Sequence, residues 1–291
     1  GLRRVVAGAT DPNPRHRGRG LRLLRQAGVR VSSGVLESEC TTLNEAFNHW
    51  IVRRTPWVVV KAAMTLDGKI ATVDGESKWI TGEQARAYGM RLRQGSDAIL
   101  VGINTILADD PSLTVRSAKC EVRGAKDKAH LRRIVLDSLA RTPLTARVVS
   151  DEHAALTTIV VSQAAPKRRV ATLAKRVNVL VAPRARSATG HRPSAIDLRW
   201  LLRKLGSQNV TSLLVEGGGE VNASFLLQHL AHRVAFFYAP KILGGRDARK
   251  AVAGDGVTRL AEAVRLHDLH WRKLGPDLLL EAAVVPTPRK P

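Results

Sequence analysis

The chain has 291 residues, 44% hydrophobic and 25% charged, enough to bury a core as one large domain or two ordinary ones and within the globular range. Its net charge of +22 favours anionic partners such as nucleic acid, phosphorylated metabolites or acidic membrane. Yet only 4% of residues are aromatic, few for the stacking platforms of single-stranded nucleic acid, and no apolar run is long enough to span a bilayer.

Residues 1–36 read strand, turn, helix, strand. RRVVAGA is a short apolar run, DPNP is turn chemistry, GLRLLRQAG is an amphipathic helix stopped by Gly28, and VRVSSGV is a second strand. This βαβ fragment is too small to hold a core alone. TTLNEAFNHWIVRR then leads to Thr55-Pro56 and reads as a linker or boundary, which gives segments 1–50 and 51–291. PWVVVKAAM is a continuous apolar strand carrying Lys61, and TLDGKIA holds an Asp-Gly turn. TGEQARAYGMRLRQG is a helix with Thr81 as its N-cap, and DAILVGINT is a buried strand. RRIVLDS, TTIVVS and VNVLVAP are short β-branched strands between basic segments, and IDLRWLLRKLGSQ is an amphipathic helix ending near Gly206. TSLLVEGGG is a strand running into glycines, with a helix from near Val221 through ASFLLQHL. HRVAFFYAPKILGG and LLLEAAVV supply the last strands. This alternation predicts an α/β domain with a largely parallel sheet.

Three stretches have a pattern that chemistry could use. In LLVEGGGEVNASF a strand delivers Glu216, and three glycines let the backbone approach a ligand. Backbone N–H groups at such a strand-to-helix junction form an anion site, although a tight turn without ligand fits the spacing equally. It is neither a dinucleotide fingerprint nor a P-loop. In GESKWITGEQARAYGMRLR, Ser77, Trp79 and Thr81 precede a helix on which Arg86 and Arg93, seven apart, share a face. In ADDPSLTVR, Asp109 and Asp110 precede Pro111, so the backbone there is extended or turned, and Arg116 suits a carboxylate or a phosphate. The pairs His229/His232 and His267/His270 lack a third ligand at metal spacing, and no Gly-x-Ser-x-Gly elbow is present. Cys40 and Cys120 make neither a disulfide framework nor a metal cluster. With no signal-peptide core in GLRRVVAGAT, a cytoplasmic location is expected.

The segments KAAMTLDGKIAT, GESKWIT, RLRQGSDAILVGINTILADDPSLTVR, RIVLDS, LLVEGGG and APKILGG resemble, in order, the reductase domain of the bifunctional riboflavin-biosynthesis deaminase/reductases. GLRRVVAGATDPNPRHRGRGLRLLRQAGVRV resembles the tail of that family's deaminase domain. The deaminase zinc motifs, His-x-Glu and Pro-Cys-x-x-Cys, are absent, and neither Cys40 nor Cys120 replaces them, so zinc is expected only with a deaminase half. The missing initial methionine and the start in mid-domain read as a fragment of a bifunctional parent, or as a lineage that kept only the reductase.

The resemblance implies a dihydrofolate-reductase-like twisted mixed sheet flanked by helices, preceded by a βαβ remnant of a cytidine-deaminase-like domain, in a homodimer. It implies NADPH-dependent reduction of 5-amino-6-(5-phosphoribosylamino)uracil, hydride going to C1′ of the opened sugar, with no metal, membrane or nucleic-acid partner. Carried over residue by residue, substrate contacts fall on Ser77, Arg93, Leu113, Arg116 and Glu216. Lys61 is a further candidate, and the two arginines are clamps for the 5′-phosphate. Cofactor contacts fall on Ala63, Trp79, Thr105, Asp109 and Ser138, and on the turn Gly218, Gly219, Glu220, Val221, Asn222, Ala223 and Ser224. The resemblance singles out no proton donor, and Ser117 to Arg133 is longer and more basic than it leads one to expect. A related pyrimidine or pterin reductase, and a basic nucleic-acid-binding protein on a reductase-like scaffold, are the alternative readings.

Overall fold

In the computed structural model, which describes residues 1–115, 131–183 and 196–286, the chain divides into two compact units. One comprises Gly1–Trp57 with Leu202–Ser212, and the other Val58–Leu201 with the chain from Leu213 onward. Arg116, Cys120 and most of the basic stretch after Val115 lie outside the described residues.

The first unit begins with the strand-helix-strand order that the sequence predicts. Strands β1 (Arg4–Ala7) and β2 (Arg30–Ser33) flank helix α1 (Arg19–Gln26) and pair in parallel, Arg4 opposite Arg30. The expected linker is instead helical, forming α2 (Glu37–Leu43) and α3 (Glu45–Arg53). Leu43, Phe47, Trp50 and Ile51 recur at helical spacing, a signal that the Thr-, Asn- and His-rich composition conceals. No residue from 1 to 55 is buried. Trp50 is fixed nonetheless: its Nε1 donates to the Gly206 carbonyl at 2.9 Å, and the Arg54 guanidinium lies 4.5 Å from its ring centre. At Gly206 an added Cβ would collide with the Arg54 carbonyl, so only glycine permits that approach.

The second unit is built on a nine-stranded sheet. Its strands are β3 (Trp57–Thr65), β5 (Ala98–Gly102), β6 (Arg132–Leu136), β7 (Thr157–Ser162), β8 (Asn178–Ala182), β9 (Ser212–Val215), β10 (Arg233–Ala239), β12 (Leu266–Leu274) and β13 (Asp277–Val284). A separate two-stranded ribbon pairs β4 (Lys69–Ala71) with β11 (Arg249–Lys250). The sheet order is β12-β13-β10-β3-β9-β5-β6-β7-β8. The β9-β5-β6-β7-β8 and β3-β10 pairings are parallel, while β13 runs antiparallel to β10 and β12. The α/β class and the mixed sheet flanked by helices therefore hold. Strand β5 is buried along all five residues, as a central strand covered on both faces requires. The sheet carries α4 (Glu83–Gln94), α5 (Ile103–Asp109), α6 (Arg147–Ser150), α7 (Lys167–Ala174) and α9 (Gly219–Leu227), while α8 (Leu198–Ser207) runs across the division of the chain at Leu201.

Two local expectations change. Helix α4 is capped at Gly82, not Thr81. The Gly82 N–H is taken by the buried Asp277 carboxylate at 2.7 Å, a partner 195 residues away that no local cap rule reveals. Helix α9 begins at Gly219, not near Val221, so two of the three glycines belong to its cap and first turn.

The topology itself opens a crevice. After β9 the chain crosses to β10, on the far side of β3, whereas after β5 it moves to β6 in the opposite direction. Neighbouring parallel strands whose connections diverge leave a gap at their carboxyl ends, the usual ligand position in open α/β sheets.

Candidate functional site

A cleft of about 1150 Å³ occupies that gap. It is somewhat larger than the roughly 300–1,000 Å³ usual for a pocket that takes one small ligand. Its floor is Gly102 and one side of α5, its near wall the turn Gly218–Val221, and its far wall the β4–β11 ribbon and the loop 248–256, with Leu136 at one end.

The three glycines have separate jobs. A Cβ on Gly217 would lie 2.5 Å from the Val221 Cβ, and one on Gly219 would strike the Lys250 carbonyl and come within 2.8 Å of the Ala253 Cβ. At Gly218 a Cβ would meet nothing within 4 Å, so this is the point where the turn faces open cleft. The first backbone N–H groups of α9 lack intrahelical partners and sit at the positive end of the helix, an arrangement suited to a pyrophosphate. The loop opposite is stitched to the turn: Ala253 N–H donates to the Gly219 carbonyl at 3.1 Å, Gly254 N–H to Glu220 Oε1 at 3.2 Å, and Asn222 Nδ2 to the Ala251 carbonyl at 2.8 Å. Asn222 and Ala223 are thereby buried, and Ser224 Oγ bonds the Glu220 carbonyl. Of the seven turn residues, four reach the cleft and these three face elsewhere.

Two residues before Gly218 stands a charged cluster. Glu216 accepts from Arg93 Nε and Nη2, both at 2.8 Å, and lies 3.8 Å from Lys61 Nζ. Burial alone would raise the Glu216 carboxyl, but Lys61 and Arg93 beside it hold it down at about 2. The Arg93 guanidinium, which burial opposes, is held above its usual value by Glu216. Lys61 reaches this point because it alternates with Val59 and Ala63 on the face of β3 that packs toward α4. The helix gives way there at Gly89, whose Cβ position lies 3.8 Å from Lys61 Cε.

Arg93 also donates to the Thr114 carbonyl at 3.2 Å, while the buried Arg133 takes the Ser112 carbonyl at 2.9 Å. Two arginines thus grip the backbone on either side of Leu113. That residue has a left-handed φ of 53° and its side chain lies in the core, so a ligand at this position meets backbone only. The Leu113 expectation is narrowed accordingly. Arg93 is narrowed too, since three of its five N–H donors are engaged within the protein.

Ser77, Thr105 and Asp109 line the cleft. Ser77 Oγ donates to Asp109 Oδ1 at 3.4 Å, and Lys78 Nζ stands 3.7 Å from the same oxygen. Asp110 faces away, accepting the Arg147 N–H at 2.9 Å. Trp79 is exposed and stacked under Arg86, 4.6 Å from ring centre to guanidinium. Ser138 follows β6 and gives its carbonyl to Ser162. Ala63, Trp79, Ser138 and the Lys61–Glu216–Arg93 cluster are not among the residues that line the cleft. The far wall, loop 248–256, was not singled out by sequence reasoning. The Gly-Asp-Gly in VAGDGV and the neighbouring Arg249 and Lys250 were its only signals.

The residues matched by the family described as the RibD C-terminal domain are 56–280. The riboflavin biosynthesis protein RibD of Actinobacillus pleuropneumoniae is 41% identical over 287 residues, which cover 98% of this chain and 72% of that protein. The 2,5-diamino-6-ribosylamino-4(3H)-pyrimidinone 5′-phosphate reductase of Methanothermobacter thermautotrophicus is 44% identical over 229 residues, 79% of this chain and 98% of that one. Among solved structures, RibD of Acinetobacter baumannii superposes with a TM-score of 0.79 at 30% identity, over 97% of this chain and 73% of the other. The sheet, the glycine turn and these similarities along most of the length agree, and the chain belongs to the RibD C-terminal domain family.

Proposed function

We propose that the chain is the NADPH-dependent reductase of riboflavin biosynthesis that converts 5-amino-6-(5-phosphoribosylamino)uracil to its ribitylamino product. The supporting observation is the meeting, at Glu216–Gly218, of a glycine turn open to the cleft with a buried Lys61–Glu216–Arg93 cluster. When bound, the cofactor supplies a hydride to C1′ of the opened sugar, and the attached nitrogen gains a proton. The chain's own residues do the holding. The α9 N-terminus and Gly218 seat the pyrophosphate, Thr105 and Asp109 face the dinucleotide, and Ser77 turns toward the substrate side. Lys61 and Glu216 present charge to the pyrimidine, and Arg93 fixes the Glu216 carboxylate. Such positioning is what hydride transfer asks of a protein.

Residues 1–50 belong to this reading as the C-terminal part of a deaminase-like domain, since the RibD relative aligns along 98% of the chain. Zinc enters only with a deaminase half. Among the described residues no group of three or more His, Cys, Asp or Glu side chains is placed to hold a metal, and no helix is long and apolar enough to cross a membrane. The homodimer and the cytoplasmic location remain part of the proposal, and light scattering of the purified chain tests the first.

The decisive assay follows nicotinamide absorbance with NADPH and the phosphoribosylamino-uracil. Turnover that requires both supports the reading. The 2-amino pyrimidinone named for the archaeal relative is the competing substrate, and faster turnover of it moves the assignment there. Failure of either compound to cause NADPH oxidation, alongside salt-steep binding to random DNA, overturns it in favour of nucleic-acid binding.

A further inference from the structure

We propose that Phe237 is a positioning residue for the reduction: its ring, braced by Tyr88 and Glu281, sets the direction in which the Lys61 ammonium meets the substrate. This rests on the reading of Lys61 as a substrate contact and goes beyond it in naming what aims the lysine.

Glu216 alone does not aim it. Both Glu216 oxygens are held by Arg93 at 2.8 Å, and Lys61 Nζ stands 3.8 Å away, longer than a hydrogen bond. A lysine stem has many rotamers to lose, so a further contact is needed to fix its direction. Strand register supplies one. β10 pairs in parallel with β3 and places Ala235 opposite Lys61 and Phe237 opposite Ala63. Side chains alternate along a strand, so in the run Phe236-Phe237-Tyr238 only the middle ring shares the face of Lys61. Phe236 and Tyr238 pack with Ala62 and Met64 on the other face. Lys61 Nζ lies 5.6 Å from the centre of the Phe237 ring, within the range of a cation held by an aromatic face. Ala235, the residue directly beside the lysine, is too small to obstruct that approach.

The ring is itself fixed from α4 and β13. Phe237 is buried and meets Tyr88 edge to face, with ring centres 6.0 Å apart. The Tyr88 hydroxyl donates to Glu281, 3.1 Å from each carboxylate oxygen. Burial, and Glu281 beside it, push the Tyr88 phenol above its ordinary value, so it stays a donor at neutral pH. The same contact has a second effect. Lys61, Ala235 and Glu281 form one row across β3, β10 and β13, two strand spacings or roughly 10 Å from end to end. Glu281 is thus a second carboxylate on the face that carries Lys61, and Tyr88 occupies it. The ring and the phenol together leave Lys61 directed toward Glu216, at the foot of the glycine turn, where a fixed charge can orient the substrate.

The test compares the wild type with Phe237→Leu, Phe237→Tyr and Tyr88→Phe. Three quantities are read: KM for the phosphoribosylamino-uracil, NADPH affinity by fluorescence titration, and the rate at which acetic anhydride acetylates Lys61, followed by peptide mass spectrometry. In Phe237→Leu, KM should rise about fivefold and Lys61 acetylation should quicken by a similar factor, the scale of one cation–aromatic contact. NADPH affinity should stay within about twofold, and Phe237→Tyr, which keeps the ring face, should bring KM and acetylation back to within about twofold of the wild type. Tyr88→Phe keeps both rings but frees Glu281, so KM should rise about threefold; this variant carries the test if Phe237→Leu does not fold. A lowered Tm with KM and Lys61 acetylation unchanged makes Phe237 a core residue only and overturns the proposal. Equal weakening of substrate and NADPH overturns it as well. A wild type that does not turn over the uracil removes the functional reading, and the acetylation rates then decide by themselves: quickened by Leu and restored by Tyr, they uphold Phe237 as what aims Lys61; unchanged, they overturn it.

Discussion

Replacing Glu216 by Gln tests whether the charged cluster is as tightly balanced as its geometry indicates. The variant keeps the shape but removes the charge opposite Arg93 and Lys61, whose side chains are 16% and 20% exposed. Removing one member of a buried ion pair costs roughly 3–5 kcal/mol, because the partner is left uncompensated. The depression of the Glu216 carboxyl from 4.5 to about 2 gives an independent figure of about 3 kcal/mol at 1.36 kcal/mol per unit. The amide still accepts one Arg93 N–H, which favours the lower end of the range. For a unit of this size that corresponds to a Tm drop of about 6–12 °C, read by circular dichroism at neutral pH. The pH dependence supplies the sign. A carboxyl whose folded pKa is lowered stabilises fully above its unfolded value near 4.5, and the contribution is lost as pH falls toward about 2. The gap between wild type and variant should thus be constant down to about pH 5 and close below it. A gap under about 1 °C at neutral pH, or one that widens in acid, refutes the reasoning.

Three further outcomes follow from other contacts. Gly218→Ala points a methyl into open cleft and Gly219→Ala drives one into the Lys250 carbonyl; the first should weaken NADPH binding at unchanged Tm, and the second should lower both affinity and Tm. Asp151→Asn removes the charge and one of the two acceptors, at 2.6 and 2.8 Å, from Arg133, which is 1% exposed, and should cost about 3 kcal/mol, the lower end of the buried-pair range, in thermal or urea unfolding. Asp67 accepts the N–H groups of Leu243 and Gly244 at 3.1 and 2.7 Å, so Asp67→Ala should speed hydrogen exchange at those two amides with little change in Tm.

What the sequence made legible divides by range. Strands such as VVVKAAM and AILVG are apolar on both faces, and their central placement could be read from composition alone. The outer strand β12 was missed because an edge strand buries so little: its residues 267–273 are all exposed, so LHDLHWRKL carries no alternation to detect. The turn after β9 could be recognised as ligand-ready, yet spacing could not assign a task to each glycine. The contacts that separate Gly218 from its neighbours come from Val221 locally and from Lys250 and Ala253 about thirty residues on.

The same limit governs the charges, and there it alters the functional reading. Arg93 and Glu216 are 123 residues apart, and nothing local to either distinguishes an arginine kept for a phosphate from one that neutralises a buried carboxylate. In a chain of net charge +22 each basic residue invites the anion-binding interpretation. The structure ranks them by what already occupies their donors. Arg133 is spent on Asp151, Thr157 and two carbonyls, and Arg93 on Glu216 and Thr114. Arg141, by contrast, has committed a single N–H to Asn104 at the rim of the cleft. Arginines desolvated and paired in this way hold the site's walls in place, and only one whose donors are uncommitted has them to offer a charged ligand.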